Sequence, residues 1–209
     1  MLILALSVIL LGYLFGSVPN GYLAGRLKGV DVRRHGSGNI GATNVLRVLG
    51  KPWGFAVFFA DALKGFVAVR LALVIVERTP GAAEYLEFYA ILAAAACVAG
   101  HSFPVWLRFK GGKGVATSAG AIFGVMPIAA IAIFLVWLVI FLATRYVSLA
   151  SIAAALALPI VVAVLVRLNY TQGIVLFYFS LLMTSLVVWR HRSNISRLLN
   201  GTEQRFARK

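Results

Sequence analysis

A chain of 209 residues that is 61% hydrophobic and only 12% charged, with a mean hydropathy of +0.93, cannot cover a water-facing surface but suits lipid tails. Its 20 Lys and Arg against 6 Asp and Glu would suggest nucleic acid in a soluble protein. Here the basic residues lie between apolar runs, which excludes nucleic acid and fits a membrane protein that handles anions.

The first apolar run covers Met1 to Gly25, softened at Gly16, Pro19 and Asn20. It has neither a basic leader nor a small-residue cleavage site and reads as a retained span. A basic polar stretch follows from Arg26 to Pro52, then a run from Trp53 to Val76 that carries Asp61 and Lys64. The segment Glu77 to Glu87 is acidic, Phe88 to Leu107 is apolar, and Arg108 to Lys113 is a short basic loop. From Gly114 to Thr144 there is no charge, and Gly124 with Pro127 offers a break into 114–126 and 127–144. The last apolar runs are Leu149 to Val166 and Gly173 to Trp189, before a basic tail from Arg190 to Lys209.

Placing every basic stretch inside predicts one membrane-embedded domain over 1–209. It is an all-α polytopic protein of seven transmembrane segments, N-terminus outside and C-terminus cytoplasmic. The piece 114–126 reaches only about 20 Å against a hydrocarbon core of about 30 Å, so it is read as short or re-entrant. The single Cys97 excludes an intrachain disulfide, and no metal site is expected.

Three polar stretches carry candidate chemistry. In Gly36-Ser37-Gly38-Asn39-Ile40-Gly41-Ala42-Thr43-Asn44, the G-x-G-x-x-G pattern followed by Asp61 is a decoy. A dinucleotide site needs a preceding strand, and Asp61 lies in an apolar run. Two readings stay open: a glycine-rich loop whose backbone amides approach an oxyanion, with neutral donors from Ser37, Asn39, Thr43 and Asn44 and a charge from Arg47, or an ordinary polar turn between helices. In Phe109-Lys110-Gly111-Gly112-Lys113-Gly114-Val115-Ala116-Thr117, Gly114 stands where a nucleotide phosphate loop requires Ser or Thr, which excludes an ATPase. A helix beginning there would aim its N-terminus at an anion held by Lys113. In Arg190-His191-Arg192-Ser193-Asn194, His191 and Asn194 share a helix face, although the stretch by itself reads first as a basic helix end whose Arg190 and Arg192 meet lipid head groups. Asp61 and Lys64 form either a structural pair or a phosphate contact made by Lys64. Ser148 and Ser151 open a span, and His101 is read as a core or interface histidine. A phosphate permease with the same anion pocket is the competing reading, but it needs charge along the outer half too, where little is present.

These stretches, together with Gly100-His101-Ser102-Phe103-Pro104, Gly16-Ser17-Val18-Pro19, Asp61-Ala62-Leu63-Lys64-Gly65 and Arg197-Leu198-Leu199 before Gly201, resemble the acyl-phosphate:glycerol-3-phosphate acyltransferases, the bacterial PlsY family, in one order along the whole chain. The resemblance implies an inner-membrane enzyme with its active site facing the cytoplasm. It would move a fatty acyl group from acyl phosphate to the 1-hydroxyl of glycerol 3-phosphate, giving lysophosphatidic acid and phosphate. No cofactor is implied, neither coenzyme A nor acyl carrier protein. The partners implied are the two substrates, membrane lipid and the enzyme that makes acyl phosphate. Ser37, His191 and Asn194 become catalytic candidates. Gly38, Asn39, Gly41, Ala42, Thr43, Asn44, Arg47, Lys64, Gly111, Gly112, Lys113, Gly114, Thr117 and Ser151 become substrate-binding candidates. The His-x-x-x-x-Asp pattern of other glycerolipid acyltransferases is absent after His35, His101 and His191.

Overall fold

The computed structural model of the protein describes residues 1–170 and 174–206. Gly173, at the start of the last apolar run, and the final three residues of the basic tail lie outside them. The described residues form ten α-helices joined by turns: α1 Leu2–Ser17, α2 Asn20–Leu27, α3 Ala42–Leu49, α4 Lys51–Glu77, α5 Leu86–Ser102, α6 Val115–Val125, α7 Pro127–Thr144, α8 Val147–Arg167, α9 Ile174–Arg190 and α10 Arg192–Leu199. There are no strands among them, as expected where backbone groups must be satisfied without water. The break expected near Gly124 and Pro127 is present, with Pro127 opening α7, where its missing N–H costs nothing.

Four stretches are long and apolar enough to cross a membrane: Leu2–Leu27, Ala83–Leu107, Pro127–Thr144 and Val147–Arg167. α9 with α10 makes a fifth if the pair, bent by 58°, counts as one span. Seven were expected. α4 has the length, since its 27 residues rise about 40 Å, but it carries Asp61, Lys64 and Arg70. α6 is short, its 11 residues rising about 16 Å.

The helices sort into two compact units, Met1–Val125 and Met126–Lys209. In the first, α1 packs on α5 and α4 on α6. Both crossings bring backbone against backbone through glycine. A Cβ on Gly16 would stand 2.7 Å from the Cys97 carbonyl carbon, and one on Gly100 would stand 2.8 Å from the Ser17 nitrogen. On the other pair, a Cβ on Gly65 would stand 2.9 Å from the Ala121 nitrogen, and one on Gly120 would stand 2.6 Å from the Ala62 carbonyl carbon. Lipid offers no hydrophobic drive to pair helices, so close approach through small residues supplies it by dispersion. In the second unit α8 packs between α7 and α9. Its tail runs back along the α7–α8 turn, with the Phe206 N–H donating to the Arg145 carbonyl at 3.0 Å and the Phe206 ring set edge-on to Phe141.

Candidate active site

The first glycine loop is built around one side chain. Asn44, 1% exposed, accepts the Ser37 N–H at 2.8 Å and donates to the carbonyls of Val32 at 2.9 Å, His35 at 3.1 Å and Asn39 at 2.8 Å. Gly36 and Gly38 take left-handed φ of 59° and 69°, and a Cβ on Gly36 would overlap the Asn44 Oδ1. Asn39 Oδ1 accepts the Gly41 N–H at 2.8 Å. Asn44 and Asn39 therefore hold the loop's shape, a structural task that sequence alone could not separate from ligand binding. The exposed Ser37 hydroxyl keeps no partner among the described residues. Ala42 and Thr43 sit in the first turn of α3, where N–H groups have no intrahelical acceptor and favour an anion. Arg47 lies exposed one turn on. Nearby, the Arg33 guanidinium grips Asp31 at 2.7 Å and holds its carboxyl well below the usual range.

The second loop returns against the end of α5. Gly111 N–H donates to the Ser102 carbonyl at 3.2 Å and Gly112 N–H to the His101 carbonyl at 3.1 Å. These two amides are committed to the backbone, so the cradle narrows to Lys113, Gly114 and the start of α6. Gly114, at φ 80°, turns the chain straight into α6, whose N-terminus lies where the sequence predicted it. The hydroxyls of Thr117, Ser118 and Ser102 are buried there without partners among the described residues.

Lys64 is 8% exposed. Its ammonium pairs with Asp61 at 2.9 Å and donates to the Val18 carbonyl at 2.8 Å. Asp61 also accepts from Asn20 Nδ2 at 3.0 Å and faces His101 Nδ1 at 3.6 Å, in ion-pair range but beyond a direct hydrogen bond. Of the two open readings of Lys64, the paired one is what the structure contains.

In the second unit His191, 2% exposed, places Nδ1 2.8 Å from the Val187 carbonyl. In the neutral ring that contact puts the proton on Nδ1 and the lone pair on Nε2. Asn194 Nδ2 donates to Glu203 Oε1 at 2.7 Å, and so does the Ser148 hydroxyl at 2.6 Å. Arg197 Nε donates to Oε2 at 2.7 Å. Ser151, by contrast, donates to the Val147 carbonyl at 2.7 Å and accepts from Trp137 Nε1 at 3.2 Å. Its hydroxyl serves the α7–α8 packing and does not join the Asn194 group.

Glu203 is the residue that sequence reasoning missed. Its signal was being the sole acid after Glu87. Burial raises its pKa, but the hydrogen bonds from Ser148, Asn194 and Arg197 outweigh that, and the net shift is downward from the ordinary 4.5. A lowered folded-state value means that its contribution to stability is complete above about pH 4.5 and is lost as acid protonates it below that. Glu203→Gln would turn one oxygen into a donor facing Arg197. The expected cost is about 1–3 kcal/mol of local stability, read as faster amide exchange over α10 and the tail at neutral pH. Wild-type protein should show the same loosening only on acidification. Unchanged exchange in the variant would refute the anchor.

Comparison with known proteins points to one family. The family model for glycerol-3-phosphate acyltransferase matches residues 6–201, across both units. A glycerol-3-phosphate acyltransferase of Desulforamulus reducens is 45% identical over 208 residues, covering 99% of this chain and 98% of its own. One from Aquifex aeolicus is 45% identical over 202 residues, covering 97% and 99%. Two crystal structures of PlsY (YgiH), an integral membrane glycerol 3-phosphate acyltransferase, are also similar. The glycerol 3-phosphate form has a TM-score of 0.86 at 43% identity, covering 97% of this chain and 96% of its own. The lysophosphatidic acid form has a TM-score of 0.83 at 42% identity, covering 97% and 95%.

Proposed function

The chain belongs to the glycerol-3-phosphate acyltransferase family and is a membrane acyltransferase of lipid synthesis acting on glycerol 3-phosphate, and from that premise we propose that its acyl donor is acyl phosphate and its product 1-acylglycerol 3-phosphate. The observation that carries the donor assignment is the pair of glycine loops, each ending at a helix N-terminus, in α3 and in α6. Such ends suit phosphate and need no cofactor. The 1-hydroxyl oxygen attacks the acyl carbonyl carbon, the bond from that carbon to the phosphate oxygen breaks, and inorganic phosphate leaves. Phosphate is already a good leaving group, so positioning and charge stabilisation supply most of the rate.

In the first unit, the Ser37 hydroxyl, the α3 amides of Ala42 and Thr43, and Lys113 hold the donor phosphate and the developing oxyanion, while Arg47 neutralises acceptor phosphate. Asn44, Asn39 and Gly41 shape the loop. Gly111 and Gly112 carry Lys113, and Thr117 stands at the loop's base. In the second unit, His191 Nε2 is the proton acceptor, and Asn194, fixed by Glu203, is a substrate contact. The whole chain works as one acyltransferase domain. It would cross the bacterial inner membrane seven times, counting α1–α2, α4, α5, the short α6, α7, α8 and α9. The N-terminus would lie outside, and the basic loops and active site would face the cytoplasm. Acyl phosphate would arrive from the enzyme that makes it. Purified protein given both substrates should release one phosphate per lysophosphatidic acid formed. Product without phosphate release would overturn the donor assignment.

A further inference from the structure

His101 lies between two features already described and belongs to neither. On one side its Nδ1 faces the buried Asp61, itself held by Asn20 and Lys64. On the other its ring lies flush against the second glycine loop, where a Cβ on Gly112 would overlap Nε2 and stand 3.0 Å from both neighbouring ring carbons. Its carbonyl accepts the Gly112 N–H, and the next carbonyl, of Ser102, accepts the Gly111 N–H. The side chain is 6% exposed. The loop from Lys110 to Gly114 contains no regular structure, so its shape depends on what it lies against. The two hydrogen bonds to the His101 and Ser102 carbonyls at the end of α5 fix its backbone, and the imidazole fills the space beneath the residue before Lys113.

We propose that His101 is a positioning residue: its ring, set against the buried Asp61, is the floor that holds the Gly111-Gly112-Lys113 loop in register for the donor phosphate. It touches no substrate and carries no proton in the reaction. Its choice as histidine follows from having to meet a carboxylate on one edge and a bare glycine Cα on the other. Leucine would bury Asp61 against an apolar surface, and a smaller residue would leave a void under Gly112. Gly112 is required for the same reason, since any side chain there would enter the ring, whereas Gly111 is held to glycine by the His101 carbonyl and Pro104. The consequence for substrate rests on the donor assignment proposed above, whereas the consequence for the loop does not.

The experiment compares His101→Ala, His101→Asn and His101→Gln. Gln can place its amide near the position of Nε2 beneath Gly112, while Asn can face Asp61 but cannot reach the loop. Amide hydrogen exchange of detergent-purified protein is read over 109–114 and, as a reference, over 36–41. Ala and Asn should raise exchange about tenfold or more in 109–114 alone, with Gln near wild type. Steady-state assays should show the KM for acyl phosphate rising about tenfold in Ala and Asn, with kcat and the glycerol 3-phosphate KM within about threefold of wild type. If Ala fails to fold, the Asn–Gln comparison decides. Asn and Gln both matching wild type in the loop would overturn the proposal, as would exchange rising equally at 36–41. If wild type does not use acyl phosphate, the donor assignment fails, and the exchange measurement still tests the floor.

Discussion

Gly16→Ala is expected to lower the thermal unfolding midpoint and the folded yield of the protein, against the usual sign of that substitution. In a helix interior alanine is favoured over glycine by about 1 kcal/mol. At Gly16 the added carbon would overlap the Cys97 carbonyl oxygen and stand 2.8 Å from the Cys97 Cα. Those are backbone atoms of α5, which no side-chain rotation can move aside. The helices must part, and parting them also loosens Gly12 from Ala93 and Ala96 and Gly100 from Tyr13. Overpacking of this kind costs about 1–3 kcal/mol. The expected net result is therefore destabilisation where propensity predicts a gain. A midpoint at or above that of wild type in the same detergent would refute the backbone contact between α1 and α5.

Asp61→Ala should be the more damaging change. Asp61 is 2% exposed and is the one carboxylate beside the Lys64 ammonium among the described contacts. Removing it strands a cation inside the first unit, and breaking a buried pair from one side costs about 3–5 kcal/mol, a large part of a typical protein's stability. Replacing both partners, as Asp61→Leu with Lys64→Met, removes the stranded charge and should recover most of the loss. Activity separates the two roles of Lys64. If the lysine is purely structural, the double variant regains turnover along with stability; if its third N–H also serves substrate, stability returns without turnover. A single Asp61→Ala variant that melts like wild type would show that the pair does not support the fold.

Much of the architecture was legible because hydropathy reports immersion in lipid regardless of which helix packs on which. The runs expected at 53–76, 127–144 and 149–166 correspond to α4, α7 and α8, and the turn between α6 and α7 was marked by Pro127. Helix pairing was not legible. Gly12 and Gly16 are meaningful only once Ala93, Ala96 and Cys97 are known to lie opposite, and nothing in one strand of sequence names the partner stripe.

The site divides in the same way. The glycine loops, and the helix N-terminus behind the second of them, could be read from residue type alone; the start of α3 behind the first lies inside a stretch that reads only as basic and polar. What each polar side chain faces could not. Asn44 and Asn39 look like ligands in a list of donors, yet the first is taken up by three backbone carbonyls on its Nδ2 and by the Ser37 N–H on its Oδ1, and the second braces Gly41. Ser151 likewise spends its hydroxyl on Trp137 and Val147. Glu203 looked like one acid in a solvated basic tail, because the three donors that converge on it lie 6, 9 and 55 residues away.

The most direct test of the donor assignment gives the purified protein a choice. Acyl phosphate and acyl-CoA carrying chains of the same length but different isotopic label are supplied together with glycerol 3-phosphate, and the label in the lysophosphatidic acid is read by mass spectrometry. The account predicts product bearing only the acyl phosphate label. Product bearing the acyl-CoA label would contradict it.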